Sequence, residues 1–135
     1  MDNTVSGTDV TIVSVGTCTV TASQAGNTNY NAAPQLSENI TINKADITAK
    51  ASNKSRAYGE ANPTFTVTYT GLVNGDSTLT TPPTLSTTAD TSQRGDYDII
   101  CSINTDANYN LTNCTDGKLT ITKTDATTIY NSDNT

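Results

Sequence analysis

The chain has no histidine and no tryptophan, and its 135 residues include one phenylalanine, one methionine and three cysteines. Without histidine, neither a Ser-His-Asp triad nor a Cys-His pair can form. The cysteines also lack the CxxC spacing of a zinc site, for which histidine would be the other usual ligand. We therefore predict that the protein is not an enzyme and that it holds neither a metal ion nor a cofactor.

Basic residues are few as well, because seven lysines and arginines stand against 13 acidic residues and give a formal net charge of −6. The seven are scattered, so they form no stripe that could release counterions from nucleic acid or attract an anionic membrane. No apolar run reaches the length of a transmembrane helix. We predict no nucleic-acid partner and no membrane insertion, and we interpret the acidity as a source of solubility.

The acidic residues offer one candidate for chemistry. Asp96 and Asp98 lie on the same face of a predicted strand, where they could contact a calcium ion. No D-x-D-x-D-G loop accompanies them, however. Most other aspartates fall in turn segments, where capping and solvation account for them. We therefore predict neither carboxylate-pair catalysis nor a metal site from these residues.

Threonine alternates with apolar residues through much of the sequence, and 33% of the residues are hydrophobic. β-branched threonine suits a pleated, half-buried surface better than a helix. The sequence therefore predicts a mainly β fold with turns at Asn74-Gly75 and Asp116-Gly117. Asp76 could cap one helical turn, and no longer helix is expected.

Large core residues are scarce, so the few present are expected to matter. Phe65 lies in the middle of the alternating segment 64–70 and is predicted to be a core centre. Tyr97 and Tyr109 are predicted to be core anchors, and each hydroxyl would need a hydrogen-bond partner or water.

A short pattern occurs twice at a fixed spacing. Residues 29–46 read NYNAAPQLSENITINKAD and residues 108–125 read NYNLTNCTDGKLTITKTD, so Tyr30 and Tyr109 are 79 residues apart (109 − 30). Such self-similarity is typical of tandem domains. We interpret residues 44–123 as one complete unit between two partial ones, at 1–43 and at 124–135, the latter being the start of a following repeat.

Five segments of the complete unit resemble the MBG domain of the YGX type: YGEANPTF at 58–65, YTGLVNGDS at 69–77, GDYDI at 95–99, NY at 108–109 and GKLTITK at 117–123. That family recurs in tandem in large secreted bacterial surface proteins. The resemblance implies an antiparallel or mixed sheet of β-grasp-like or sandwich-like type. The residues that carry it are Tyr58, Gly59, Pro63, Phe65, Gly71, Gly75, Asp76, Gly95, Tyr97, Tyr109 and Gly117.

The N-terminal part resembles a different module. Residues 16–26 (GTCTVTASQAG) and 29–34 (NYNAAP) are similar to the closing part of a bacterial immunoglobulin-like repeat that occurs in the same proteins. In that repeat Cys18 would pair with an upstream cysteine, and the sequence before it contains none. The resemblance implies a partial immunoglobulin-like β unit at 1–43.

These resemblances leave two functions open. The first is a non-catalytic stalk or spacer, whose partners are the neighbouring repeats of the same polypeptide. The second is an adhesive module that binds extracellular glycan or mucin. Burial of Tyr58, Tyr69, Tyr97 and Tyr109 would favour the spacer, whereas a cluster of exposed tyrosines would favour binding. In both cases the resemblance implies an extracellular location at the cell surface.

Cys101 and Cys114 are candidates for a disulfide. Cys101 lies on the inward face of the predicted strand 96–103, and Cys114 ends the strand expected to pair with it. A bridge that closes a loop of this size stabilises by about 3 kcal/mol in the chain-entropy model, and it requires an oxidising compartment. The alternative is that both residues are small buried thiols.

Overall fold

The computed structural model describes residues 4–6, 9–92 and 94–124, and within them it contains strands but no helix. The mainly β prediction is therefore confirmed. The predicted start of a following repeat, 124–135, lies outside the described residues except for Thr124. The strands are β1 (Thr4–Ser6), β2 (Asp9–Thr11), β3 (Gly16–Ala22), β4 (Leu36–Ile42), β5 (Ala45–Ala51), β6 (Lys54–Ala57), β7 (Val67–Thr70), β8 (Thr84–Ser86), β9 (Gly95–Ser102), β10 (Tyr109–Thr115) and β11 (Gly117–Thr122).

Residues 44–123, for which we keep the name complete unit, are built on one long parallel pair of strands. β10 runs parallel to β5, and β11 runs parallel to β6. Thr48 pairs with Asn113 and Ala57 pairs with Thr122, so the same register continues from the first pair into the second. The register shifts between Leu111 and Asn113, where Thr112 forms a bulge. Strands β5–β6 and β10–β11 therefore act as one continuous ribbon.

Two sheets extend from opposite edges of this ribbon. The first has the order β10-β5-β7, with β7 antiparallel to β5. The second has the order β6-β11-β9-β8, with antiparallel pairing of β9 to β11 and of β8 to β9. In the N-terminal part, β1 pairs with β2, and β3 pairs with β4 to form what we call the hairpin. Both pairs form two-stranded sheets of their own.

Each sheet of the complete unit covers its own small core. The first core consists of Ile47, Ala49, Leu79, Tyr109 and Leu111. The second core consists of Ala51, Ala89, Ile99, Cys101, Leu119 and Ile121. Cys114 packs against both cores. The inward residues of the parallel ribbon thus supply much of the buried surface of both sheets.

A disulfide joins Cys101 to Cys114, with 5.7 Å between their Cα atoms. That distance is ordinary for a disulfide. Cys101 belongs to β9 and Cys114 to β10, which lie in different sheets and do not pair with each other. The predicted pairing of these two strands is therefore wrong, and the bridge ties the two sheets together. Cys18 is a free, buried thiol in β3.

Phe65 is not the core centre that the sequence predicts. The strand expected at 64–70 begins only at Val67, so Phe65 and Pro63 precede it. Phe65 is half-buried and packs against the edge of the second core. The fully buried large side chains are instead Ile47, Ile99 and Leu119. Ile47 and Leu119 lie on the inward face of the ribbon and Ile99 on the neighbouring strand β9, whereas Phe65 precedes the edge strand β7.

We expect Phe65→Ala to lower the free energy of unfolding by about 1–2 kcal/mol, less than the roughly 3–5 kcal/mol typical of a fully buried phenylalanine. Part of its ring is already in water, so less apolar surface is lost on truncation. Urea denaturation of the two proteins measures the difference. A loss of about 3–5 kcal/mol, as for a fully buried phenylalanine, would contradict the half-buried position of Phe65.

Of the two predicted turns, one is present and one is not. Asn74 and Gly75 have φ values of 58° and 77°, as a mirror-image turn requires. Asp116-Gly117 makes no turn, because β10 ends at Thr115 and β11 continues in the same direction from Gly117. Asp116 instead accepts a hydrogen bond from the Cys101 N–H at 2.7 Å. This hydrogen bond connects β9 to the junction of β10 and β11, where the ribbon leaves the first sheet and enters the second.

Candidate functional site

Tyr109 and Asp76 form a polar contact at the end of the first core. Tyr109 is buried at the start of β10, and its hydroxyl lies 2.6 Å from Asp76 Oδ2. The hydroxyl also accepts a hydrogen bond from the Val73 N–H at 3.2 Å. Burial, reinforced by the hydrogen bond to Asp76, raises the pKa of Tyr109. Asp76 therefore holds a tyrosine and starts no helical turn, which corrects the role predicted for it.

Asp106 organises the loop before Tyr109. Its side chain is only 2% exposed. Oδ1 accepts the N–H groups of Asn108 (2.9 Å) and Tyr109 (3.1 Å), and Oδ2 accepts that of Thr81 (2.8 Å). Burial alone would raise the pKa of Asp106, but these backbone donors outweigh burial and hold the pKa below its ordinary value. The Asp106 carboxylate therefore holds together two loops, the one that contains Thr81 and the one that leads into β10.

A cleft lies beside Asp76 and Tyr109, where the N-terminal part contacts the complete unit. Its apolar wall includes Ile12 and Ile42, and its polar wall includes Asp76 and Tyr109. Asn108 Oδ1 accepts a hydrogen bond from the Val15 N–H at 3.2 Å across the junction. Asp76 and Tyr109, which line this cleft, are hydrogen-bonded to each other.

A buried arginine in the second sheet forms hydrogen bonds to the YGEANP segment at 58–63 and to the loop at 89–90. Arg56 is buried in β6, and its Nε donates to Asn62 Oδ1 at 2.7 Å. Its guanidinium also donates to the backbone carbonyl of Asp90. Asn62 Nδ2 in turn donates to the carbonyl of Ala89 at 2.9 Å. Sequence reasoning missed this clamp, because an arginine in a polar strand segment gives no sign of being buried.

A second cleft of the complete unit is lined by an exposed tyrosine and two basic side chains. Tyr58 is 45% exposed in the turn after β6. It lines a shallow cleft together with Arg94, Lys123 and Thr124. A tyrosine face can stack on a sugar ring, and the two cations can attract an acidic substituent. The cleft thus combines an exposed aromatic face with two positive charges.

The comparison with protein families matches residues 47–120 to the MBG domain (YGX type). The match covers more than half of the chain. The chain belongs to this family. Neither the comparison with curated proteins nor that with solved structures found a match. Membership identifies the chain as a repeat module of bacterial surface proteins.

The other motif residues of the MBG domain serve its backbone and cores. Tyr97 is half-buried in β9 and donates from its hydroxyl to the Arg94 carbonyl at 3.2 Å. Tyr69 is half-buried against the first core, and burial raises its pKa. Positive φ values of 88°, 102°, 77° and 118° occur at Gly59, Gly71, Gly75 and Gly95. The motif residues are therefore spread over the domain, and the structure brings Asp76 and Tyr109 together.

Asp96, one of the two aspartates considered for calcium, has other partners in the MBG domain. Asp96 accepts a hydrogen bond from Thr120 Oγ1 at 2.9 Å and lies 3.7 Å from the Lys118 ammonium. Within residues 4–6, 9–92 and 94–124, no three side chains of the metal-binding types come close enough to hold an ion. The same part of the chain contains no helix able to cross a membrane.

Proposed function

We propose that the chain is a non-catalytic spacer in a tandem array, which holds other domains of a bacterial surface protein away from the cell. The observation that carries this proposal is the use of the MBG tyrosines for packing. Tyr109 is buried, and Tyr69 and Tyr97 are half-buried, so three of the four tyrosines considered for ligand binding are partly or wholly inside. Few aromatic faces remain for a ligand.

Rigidity and charge also support a spacer. The disulfide between Cys101 and Cys114 joins the two sheets, and the link from β4 to β5 consists of Asn43 and Lys44 alone. A short link without a Gly- or Pro-rich stretch favours close, ordered neighbours. The net charge of −6 makes neighbouring modules repel one another. The disulfide also favours an oxidising, extracellular setting.

The second candidate is an adhesive module for acidic glycans. The observation in its favour is the cleft in which Tyr58 is flanked by Arg94 and Lys123. One exposed tyrosine gives a small stacking surface, and the surrounding acidic charge opposes an anionic ligand. For this reason we place the spacer first.

We expect no saturable binding of the full chain to mucin or to any glycan of an array at protein concentrations up to about 100 μM. The double variant Tyr58→Ser/Arg94→Gln and the surface variant Thr66→Ala/Thr68→Ala should then give the same signal as the unaltered chain. Micromolar binding that the first variant abolishes and the second retains would replace the spacer with the adhesive module. Loss through the second variant alone would place a glycan site on the sheet face instead, and would also contradict the spacer.

A further inference from the structure

The chain enters and leaves the MBG domain at opposite ends of the parallel ribbon. β5 begins at Ala45, which pairs with Tyr109 at one end of the ribbon. β11 ends at Thr122, which pairs with Ala57 at the other end. A strand rises about 3.3 Å per residue, so these two ends are about 40 Å apart along the ribbon. Tension along the chain therefore pulls β5–β6 toward its start and β10–β11 toward its end, in opposite directions.

Tension applied in this way places the ribbon in shear. The hydrogen bonds of a parallel ladder cross between the strands at even spacing. When one strand slides along the other, these bonds are all strained together. When two strands are instead pulled apart from one end, the bonds break one after another. Forced unfolding depends on the rate of barrier crossing rather than on the equilibrium free energy. The ribbon thus lies in the orientation in which it resists tension best.

Hydrogen bonds also cross the ribbon where its ladder of strand pairs is irregular. At the bulge in β10, Thr112 Oγ1 donates to the Ile47 carbonyl at 3.1 Å. Between β5 and β6, the Asn53 side chain accepts the Lys118 N–H at 2.9 Å. The two long strands are therefore connected in the bulge and in the gap, and these irregularities leave no break at which sliding could begin.

Both ends of the ribbon are closed by further bonds. At the first end, the Ala45 N–H donates to the Asn108 carbonyl at 3.2 Å. At the second end, the Tyr58 N–H donates to the Thr122 carbonyl at 2.9 Å. Thr124 Oγ1 donates to the Tyr58 carbonyl, also at 2.9 Å. The cross-strand bonds thus reach the two points at which tension enters the domain.

Each long strand of the ribbon is also held on the side away from its partner. β5 pairs with β7, and β11 pairs with β9. The disulfide between Cys101 and Cys114 fixes β10 to β9. β6 is an edge strand, and its buried Arg56 donates to Asn62 and to the Asp90 carbonyl. Neither long strand can leave its own sheet easily, so the ribbon is the contact that must yield under tension.

We propose that the MBG domain bears tension between its neighbours and that the parallel ribbon is the element that resists it. The source of the tension rests on the spacer function proposed above, whereas the resistance is a property of the fold. The disulfide adds a limit to the extension. Its two cysteines are 13 residues apart, so unfolding releases about 40 Å less chain while the bridge is intact.

Single-molecule pulling on the full chain, with its disulfide intact, tests the direction of resistance. Azide-bearing residues in place of Asn43 and Lys123 take the two handles and reproduce the pull along an array. Handles at Glu60 and Lys123 are the control, because both then pull at the same end of the ribbon. All three positions are exposed. We expect the unfolding force for the first pair to be at least about twofold that for the second. Equal forces, or a larger force for the second pair, overturn the proposal.

Two glycine variants locate the resistance within the domain. Gly117→Ala forces the ribbon strands apart, because an added Cβ would lie 2.8 Å from the Ala51 carbonyl oxygen. Gly75→Ala strains a turn outside the ribbon. We expect Gly117→Ala to lower the force for the Asn43 and Lys123 handles toward that of the control pair, and Gly75→Ala to leave it unchanged within error. An equal fall in both variants would place the resistance elsewhere. The comparison of directions in the unaltered chain does not depend on either variant folding.

The pulling experiment and the glycan test have separate outcomes. Weak resistance in both directions, without glycan binding, overturns the tension-bearing ribbon and leaves the spacer in place. Strong resistance along the array, together with glycan binding that Tyr58→Ser/Arg94→Gln abolishes, keeps the tension-bearing ribbon and replaces the spacer with the adhesive module.

Discussion

Replacing Asp106 with alanine is expected to lower the free energy of unfolding by about 3–5 kcal/mol, since each buried donor that loses its acceptor costs roughly 1–3 kcal/mol. The carboxylate accepts three backbone N–H groups, from Thr81, Asn108 and Tyr109. Its side chain is almost wholly buried, so water cannot readily replace it. Urea denaturation of the full chain with its disulfide intact measures the loss.

The repeat supplies a matched control for this substitution. Asn27 makes the same two loop bonds as Asp106 but is exposed, so we expect Asn27→Ala to cost less than about 0.5 kcal/mol. Asp106→Asn keeps the shape and one acceptor oxygen and should fall between the two. Equal costs for Asp106→Ala and Asn27→Ala would show that the buried acceptor contributes nothing beyond an ordinary loop residue.

Acid provides a second measurement of the same carboxylate. The pKa of Asp106 is below its ordinary value in the folded chain, so its contribution to stability is fully present above the unfolded pKa of about 3.9 and is lost as pH falls through the folded pKa. The free energy of unfolding should therefore fall more steeply below about pH 4 in the unaltered chain than in Asp106→Asn. Asp90, whose pKa is lowered by its hydrogen bonds with Ser92, is present in both proteins and cancels.

Periodicity predicted individual strands well but could not predict their partners. The segment expected at 96–103 is β9, at Gly95–Ser102, because alternation directly encodes which residues face the core. The parallel ribbon was not predicted, since alternation marks a face and leaves the neighbouring strand unspecified. Asp116-Gly117 illustrates this limit: the dipeptide is typical of a turn, yet here it lies within the continuous ribbon.

For a similar reason, the sequence predicted some residues of the candidate sites and missed others. Tyr109 could be recognised from its motif and from its repeat at Tyr30, but its partner Asp76 is 33 residues away in the sequence and looked like a helix cap. The 79-residue offset also contained a signal for Asp106, because Asn27 occupies the equivalent position. Arg56 had no such signal, since its burial depends on carbonyl groups brought in by the loop at 89–90.

We expect Gly117→Ala to destabilise the MBG domain by about 2–4 kcal/mol, at the upper end of what overpacking costs. A Cβ at this position would lie 2.8 Å from the carbonyl oxygen of Ala51 and 2.9 Å from that of Ser52. Both are backbone atoms of the paired strand, so no side-chain rotation relieves the contact and the ribbon itself must open.

Gly75→Ala is the matched control. Gly75 has a φ of 77° but no atom within 4 Å of an added Cβ, so its substitution costs the left-handed backbone alone, about 1–2 kcal/mol. Urea denaturation of both variants, with the disulfide intact, separates close packing from backbone strain. A loss for Gly117→Ala no larger than that for Gly75→Ala would mean that the two strands yield at little cost where they cross between the sheets. The continuous parallel ribbon would then not be the rigid element of the domain.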